Sequence, residues 1–237
     1  MEKLLRGVSV FIRRRRPALR ATFKRLAQGQ NPIALLLACS DSRVVPGLLL
    51  SADPGDIFEV RTVGNIIAPA DAAGENAMGD ESEAAAIEYA LIALNVKHIV
   101  VMGHSSCGAM AKVLSGHPLE GAPNLDRWLV HARGAGERLA GASFIDRALP
   151  PGDQLSQANV LQQIEHIRGY ALVAGRLARG ARGMVRRRAG RPAYLEPEEE
   201  LFHPHGRGRD RAGAPASRGE CRLNREKGHE MKETVGF

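Results

Sequence analysis

Glu81–Leu94 reads ESEAAAIEYALIAL and, after a three-residue link, His98–Met102 reads HIVVM. The first stretch is rich in strong helix formers, and Ile87, Leu91 and Leu94 are spaced to share one apolar stripe. The second is a short apolar run of the kind a buried strand needs. Upstream, Asp56–Val63 (DIFEVRTV) alternates, offering Ile57, Phe58, Val60 and Val63 to a sheet. Strand, helix and strand joined by short links make a βαβ unit, whose two strands run parallel. Ile33–Ala38 (IALLLA) adds a further strand that ends in a polar cluster, as a buried parallel strand does. The fold class expected is therefore α/β: a mostly parallel β-sheet core flanked by helices.

Helical composition continues over Ser106 to Leu114, Asn124–Leu139 and Gln154–Arg179. Pro150, Pro151 and Gly152 break the last two apart, and Asp153 is placed to cap the second. The chain divides into an N-terminal helical arm (1–30), an α/β domain (31–205) and a basic tail (206–237). Gly206–Gly219 (GRGRDRAGAPASRG) has almost no large apolar side chain, so disorder is expected from there onward.

At 237 residues, 44% hydrophobic and 25% charged, the chain is able to bury an ordinary core. Its net charge of +7 suggests a nucleic-acid partner, but the distribution opposes one. Residues 1–30 hold nine Lys/Arg against one Glu, whereas residues 31–180 hold 11 against 16 Asp/Glu. A phosphate-binding face would cross the folded body, and here the body is acidic. The basic run Arg13–Arg16 reads as a solvated helix face. With aromatics at 4%, stacking on single strands is disfavoured as well. Three cysteines are not a disulfide framework, and no apolar stretch reaches the roughly 18 residues of a membrane span. The first residues make a poor signal peptide, so the expected location is cytoplasmic.

Two polar segments each follow a predicted strand: Cys39-Ser40-Asp41-Ser42-Arg43 and Gly103-His104-Ser105-Ser106-Cys107-Gly108. Sites in parallel sheets form outside the carboxyl ends of the strands, so two strands of one sheet would bring Cys39 to His104 and Cys107. Cys, His and Cys suit a borderline-soft ion such as Zn²⁺, and three protein ligands leave one tetrahedral position open. Blander readings exist for each residue alone. Cys39 would serve as a small buried hydrophobe, His104 as a turn residue, Cys39 and Cys107 as a redox pair, and Asp41 with Arg43 as a surface ion pair. Their joint position at the mouths of two strands favours the metal site.

With these motifs in hand, the chain resembles the β-class carbonic anhydrase family. ACSDSRVVP (Ala38–Pro46) and MGHSSCGAM (Met102–Met110) carry the resemblance, supported by EVRTVGN (Glu59–Asn65) and AAAIEYAL (Ala84–Leu91). It implies Zn²⁺ held by Cys39, His104 and Cys107, with Asp41 and Arg43 as a catalytic dyad. Gln30 falls where such enzymes have a glutamine near the substrate, and the N–H of Gly108 would assist there. The reaction implied is reversible hydration of CO₂ to bicarbonate and a proton by a zinc-bound hydroxide. Asp41 would orient that hydroxide, and Arg43 would keep Asp41 ionised. Partners implied are CO₂ or bicarbonate and further copies of the chain, as a homodimer or homotetramer with the arm reaching over a partner. Alternatives are a COS or CS₂ hydrolase of the same fold, or a non-catalytic zinc protein with a closed site.

One stretch departs from the family. Where a last edge strand is expected, residues 182–191 are mostly arginine and glycine and make a poor strand, while Tyr194–Glu199 again resembles the family's tail. Shifting the frame by one base at Met184-Val185 yields a Trp codon, so a local double frameshift fits this pattern. The edge strand is expected to be degraded.

Overall fold

Ala34–Cys39 forms strand β1, and every one of its six residues is buried. In this computed structural model, residues 1–79, 81–141 and 145–178 are described. The stretch where a degraded edge strand and a frameshift are expected, and the expected basic tail, lie outside the described residues. β1 owes its burial to its place between two parallel neighbours, β2 (Ile57–Thr62) and β3 (His98–Met102), in the order β2-β1-β3. The register sets Ala34 beside Ile57 and His98, and carries Cys39 to Thr62. Side chains alternate between the two faces. Leu35 and Leu37 join Ile99 and Val101 in one apolar cluster, while Leu36, Ala38 and Met102 join Val44 in another. A strand covered on both sides has to be apolar throughout, as β1 is.

The helices run, in chain order, α1 (Glu2–Val10), α2 (Arg20–Leu26), α3 (Pro46–Leu49), α4 (Ser82–Glu88), α5 (Gly108–Ser115), α6 (Pro123–Leu129), α7 (Ala135–Gly141), α8 (Pro151–Gly169) and α9 (Ala171–Ala178). The expected stripe of the crossover helix is real: Ile87, Leu91 and Leu94 all sit in the core. The helix expected over Asn124–Leu139 is instead α6, a 3₁₀ turn and α7, and the one expected over Gln154–Arg179 breaks at Tyr170. Composition favours helix in both places but does not locate such breaks.

α8 positions the site. Pro151 begins it, fitting the first helical turn where no backbone donor is needed. One flank of α8, with Tyr170 just beyond its end, carries buried polar groups that satisfy the segment after β2. Asn159 donates to the Gly64 carbonyl at 2.9 Å, Gln163 accepts the Ile67 N–H at 2.8 Å, and the Tyr170 hydroxyl donates to the Ala68 carbonyl at 2.9 Å. Against β3, α8 packs so closely that a Cβ added at Gly103 would stand 2.7 Å from Val160 Cγ2. Only glycine lets the strand end, and the loop after it, lie this near the helix.

Candidate metal centre

Both polar segments emerge from carboxyl ends of adjacent strands. β1 ends on Cys39 itself, and β3 ends at Met102, two residues before His104. Cys107 occupies the position just before α5, so the helix start fixes its side chain. The Cys39 and Cys107 sulfurs and an imidazole nitrogen of His104 all lie within 4.8 Å of one another. All three residues are buried, at 4%, 3% and 2% exposure respectively.

The protonation pattern follows from the partners. His104 Nδ1 lies 2.9 Å from the Ser105 carbonyl oxygen. A carbonyl only accepts, so Nδ1 carries the proton and Nε2 presents its lone pair. That Nε2 is buried with no hydrogen-bond partner among the described residues. The two cysteines are unlinked thiols rather than a disulfide. A hydrogen bond from Cys107 lowers the Cys39 thiol, and giving that bond, together with burial, raises Cys107. Two sulfurs and one lone pair aimed at a common point form a donor set for a thiophilic divalent cation. The residues therefore fit Zn²⁺.

Beside this set stands the acid–base pair. Arg43 Nε donates to Asp41 Oδ1 at 2.9 Å and Nη2 to Oδ2 at 2.7 Å, while the Arg43 backbone N–H also reaches Oδ1 at 2.9 Å. These bonds hold the Asp41 carboxyl well below the usual carboxylate range. Asp41 Oδ2 lies 3.8 Å from His104 Nε2, so the carboxylate stands beside the donor set. Behind it, Ile66, Met110, Leu129 and Leu155 pack with the two cysteines into an apolar wall.

Gly108 is the first residue of α5, exposed next to Cys107. Gln30 is not brought to the centre. It is exposed and lines an open pocket of about 660 Å³ with Leu26, Gly55, Ile57, Tyr89 and Leu94. Ile57 begins β2, so Gln30 sits at the opposite end of the sheet from Cys39, a strand length away.

Two residues at the site escape motif reading. Arg61, near the end of β2, donates to the Cys39 carbonyl at 3.0 and 3.1 Å, and to the carbonyls of Asp41 and Val44 at 2.7 Å each. It clamps the whole Cys39–Val44 loop; Arg61 falls within the supporting segment EVRTVGN, but that segment gives it no role at the site. Asp153 does not cap α8, which has no side-chain cap. Its carboxylate instead accepts the Ser106 N–H at 2.5 Å, across 47 residues of chain.

A buried Cys-His-Cys group that could hold a metal ion, flanked by a carboxylate–guanidinium pair, stands at the mouth of the parallel sheet. Comparison with known proteins gives the family. The carbonic anhydrase family model matches residues 34–186, and the chain belongs to this family, in its β-class. A carbonic anhydrase from Synechococcus elongatus is 39% identical over 182 residues. That alignment covers 76% of this chain, and the chain spans 64% of the length of that relative. Among solved structures, the β-carbonic anhydrase CcaA superposes with a TM-score of 0.67 at 34% identity, covering 76% of this chain and 85% of that one. A tetrameric β-carbonic anhydrase from the ascomycete Sordaria macrospora gives 0.61 at 30% identity, covering 76% and 87%. Among the described residues, no helix is long and apolar enough to cross a membrane.

Proposed function

We propose that this chain is a zinc-dependent carbonic anhydrase, a lyase interconverting CO₂ with bicarbonate and a proton. One observation carries the reading: Asp41, locked by Arg43, stands 3.8 Å from the free nitrogen of a buried Cys39–His104–Cys107 set. A purely structural metal site has no use for that pair. Zinc held by these three residues would lower the pKa of a water molecule to about 7, supplying hydroxide at neutral pH.

The protein's own groups do the rest. Asp41, ionised and so an acceptor only, takes the hydrogen bond of the nucleophile's O–H and aims its lone pair at the carbon. Arg43 spends Nε and Nη2 on that carboxylate, which keeps it from taking the proton itself. The wall of Ile66, Met110, Leu129 and Leu155 receives a small uncharged molecule and excludes bulk water. Gly108, at the exposed start of α5, offers a backbone N–H to a substrate oxygen. Gln30, remote from its own centre, would act as a substrate residue only toward the centre of a partner subunit.

A homodimer or homotetramer fits this reading. Leu4, Leu5, Val8 and Ile12 leave an apolar face of the N-terminal arm exposed, a surface that another copy would cover. The tetrameric Sordaria relative supports the larger assembly. A cytoplasmic location fits sulfurs that have to stay reduced to bind a cation. The test is zinc quantification on purified protein together with stopped-flow CO₂ hydration and CS₂ turnover. Near-stoichiometric zinc with CO₂ hydration supports the proposal; turnover of CS₂ alone makes the protein a hydrolase, and zinc without either activity leaves a binding protein.

A further inference from the structure

We infer that Asp153, on the first turn of α8, is the positioning residue of this centre, holding both the His104 imidazole and the Arg43 guanidinium through one loop of backbone. The role in turnover rests on the proposed function above; the structural part does not. Asp153 is 9% exposed, and its Oδ1 accepts the Ser106 N–H at 2.5 Å. The Ser106 N–H and the Ser105 C=O belong to one planar peptide unit. The opposite edge of that plane accepts the His104 Nδ1–H at 2.9 Å. A carboxylate, a peptide plane and an imidazole thus stand in line behind Nε2. A carboxylate partner generally fixes the orientation and basicity of a metal-binding histidine, and here a peptide relays the effect.

The same grip reaches the other side. Ser106 has φ 53°, a left-handed conformation that an L side chain adopts only when its surroundings hold it. In that conformation its own carbonyl accepts Arg43 Nη2 at 2.9 Å, and this same Nη2 donates to Asp41 Oδ2 at 2.7 Å. Asp153 therefore lies two bonded contacts from Arg43 and three from the Asp41 carboxylate. α8 also presses on Gly103, just before His104, through Val160. The anchor is rigid, because eleven residues of α8 are buried.

The test compares wild type with Asp153→Ala and Asp153→Asn, the second of which keeps an acceptor oxygen of the same reach. Zinc affinity is read by competition with a chromophoric chelator, and the Arg43 Nε–H resonance by ¹⁵N NMR, identified by its loss in Arg43→Lys. Asp153→Ala is expected to weaken zinc about tenfold, to broaden or shift the Arg43 signal, and to lower kcat with KM little changed. Asp153→Asn restores most of each. Unchanged zinc affinity and an unmoved Arg43 signal in Asp153→Ala would overturn the inference, as would an Asp153→Asn no better than Asp153→Ala. Should Asp153→Ala not fold, hydrogen exchange on the wild-type protein decides: the Ser106 amide, on an exposed residue, is slowed if Asp153 holds it, and free exchange overturns the proposal. A wild-type protein that binds zinc and hydrates no CO₂ removes the proposed function, while the zinc and NMR measurements still decide the role of Asp153.

Discussion

Asp41 and Arg43, two residues apart, meet through a two-pronged contact in which the guanidinium occupies both oxygens of the carboxylate. The fork holds Asp41 beside the donor set, with Oδ2 3.8 Å from His104 Nε2. Replacing Arg43 by Gln removes the second prong and the charge but leaves Cys39, His104 and Cys107 untouched. Arg43→Gln is expected to keep its zinc and lose CO₂ hydration by about a hundredfold, the scale of a misplaced reacting group. Asp41→Asn is expected to lose at least as much. Stopped-flow hydration with parallel metal analysis checks both, and unchanged turnover in Asp41→Asn would remove that carboxylate from the mechanism.

The donor set makes a different demand. A serine hydroxyl is a poor ligand for zinc compared with a thiolate, and Cys39 closes the central strand at the mouth of the donor set. Cys39→Ser should lose zinc and activity together while retaining the helical signal of the fold. Full metal content in that variant, by elemental analysis, would show that Cys39 is not a ligand.

The strands and the three donors were legible for the same reason: each is set by residue type. An all-apolar run ending in Cys39 specifies a central strand and places the thiol at its mouth, and His104 with Cys107 mark the loop after β3. Arg61 and Asp153 were not legible in this way, because their partners are backbone groups. A carbonyl of Cys39 or an N–H of Ser106 exists at every position of a chain, so nothing on the receiving side leaves a motif. Asp153 was even misleading, since an acid just after Pro151-Gly152 satisfies the local rule for a helix start. The break between α6 and α7 was hidden for a related reason. Composition measures preference for helix, whereas Gly134 there faces Gln162 of α8, a tertiary contact.

Arg61 can be tested on its own terms. Its four hydrogen bonds reach three carbonyls of the loop that carries Cys39 and Asp41. Lysine keeps the charge but has one nitrogen in place of a planar fork, so it cannot span those acceptors. Arg61→Lys is expected to weaken zinc about tenfold and to depress hydration in proportion, read by chelator competition and stopped flow. Wild-type values for both would show that the loop holds its shape without the clamp.

The contact between Gly103 and Val160 predicts a loss that a second change relieves. A methyl at Gly103 would meet Val160 Cγ2 at 2.7 Å, and Val160 is buried with a branched side chain that has little room to turn. Gly103→Ala should cost about 1–3 kcal/mol, as overpacking of a core does. Val160→Ala opens space at the point of contact, so the double variant should be more stable than the sum of the two single losses implies. Strict additivity in denaturant melts would place the cost elsewhere than this contact.

The last prediction concerns acid. His166 Nδ1 lies 2.7 Å from the Ile67 carbonyl, so this nitrogen bears the proton, and Nε2 lies 2.6 Å from Gln162 Nε2. Gln162 is held in that orientation because its oxygen accepts Arg138 Nε at 2.5 Å. Nε2 of His166 can therefore only accept, and a second ring proton would set donor against donor. Burial, aided by the charges of His131 and Arg138, lowers the His166 imidazole below its ordinary value, and burial alone lowers His131. With a depressed native value, the unfolded chain takes up the proton first. The contribution is intact above the unfolded pKa of about 6.5 and is lost as pH falls below it. Melting temperature is expected to decline between pH 7 and pH 5, by an amount that Arg138→Ala reduces, since Gln162 is then free to turn its oxygen toward a protonated ring. Melts across that range in the two proteins check this, and parallel declines would mean that Arg138 does not fix the orientation of Gln162.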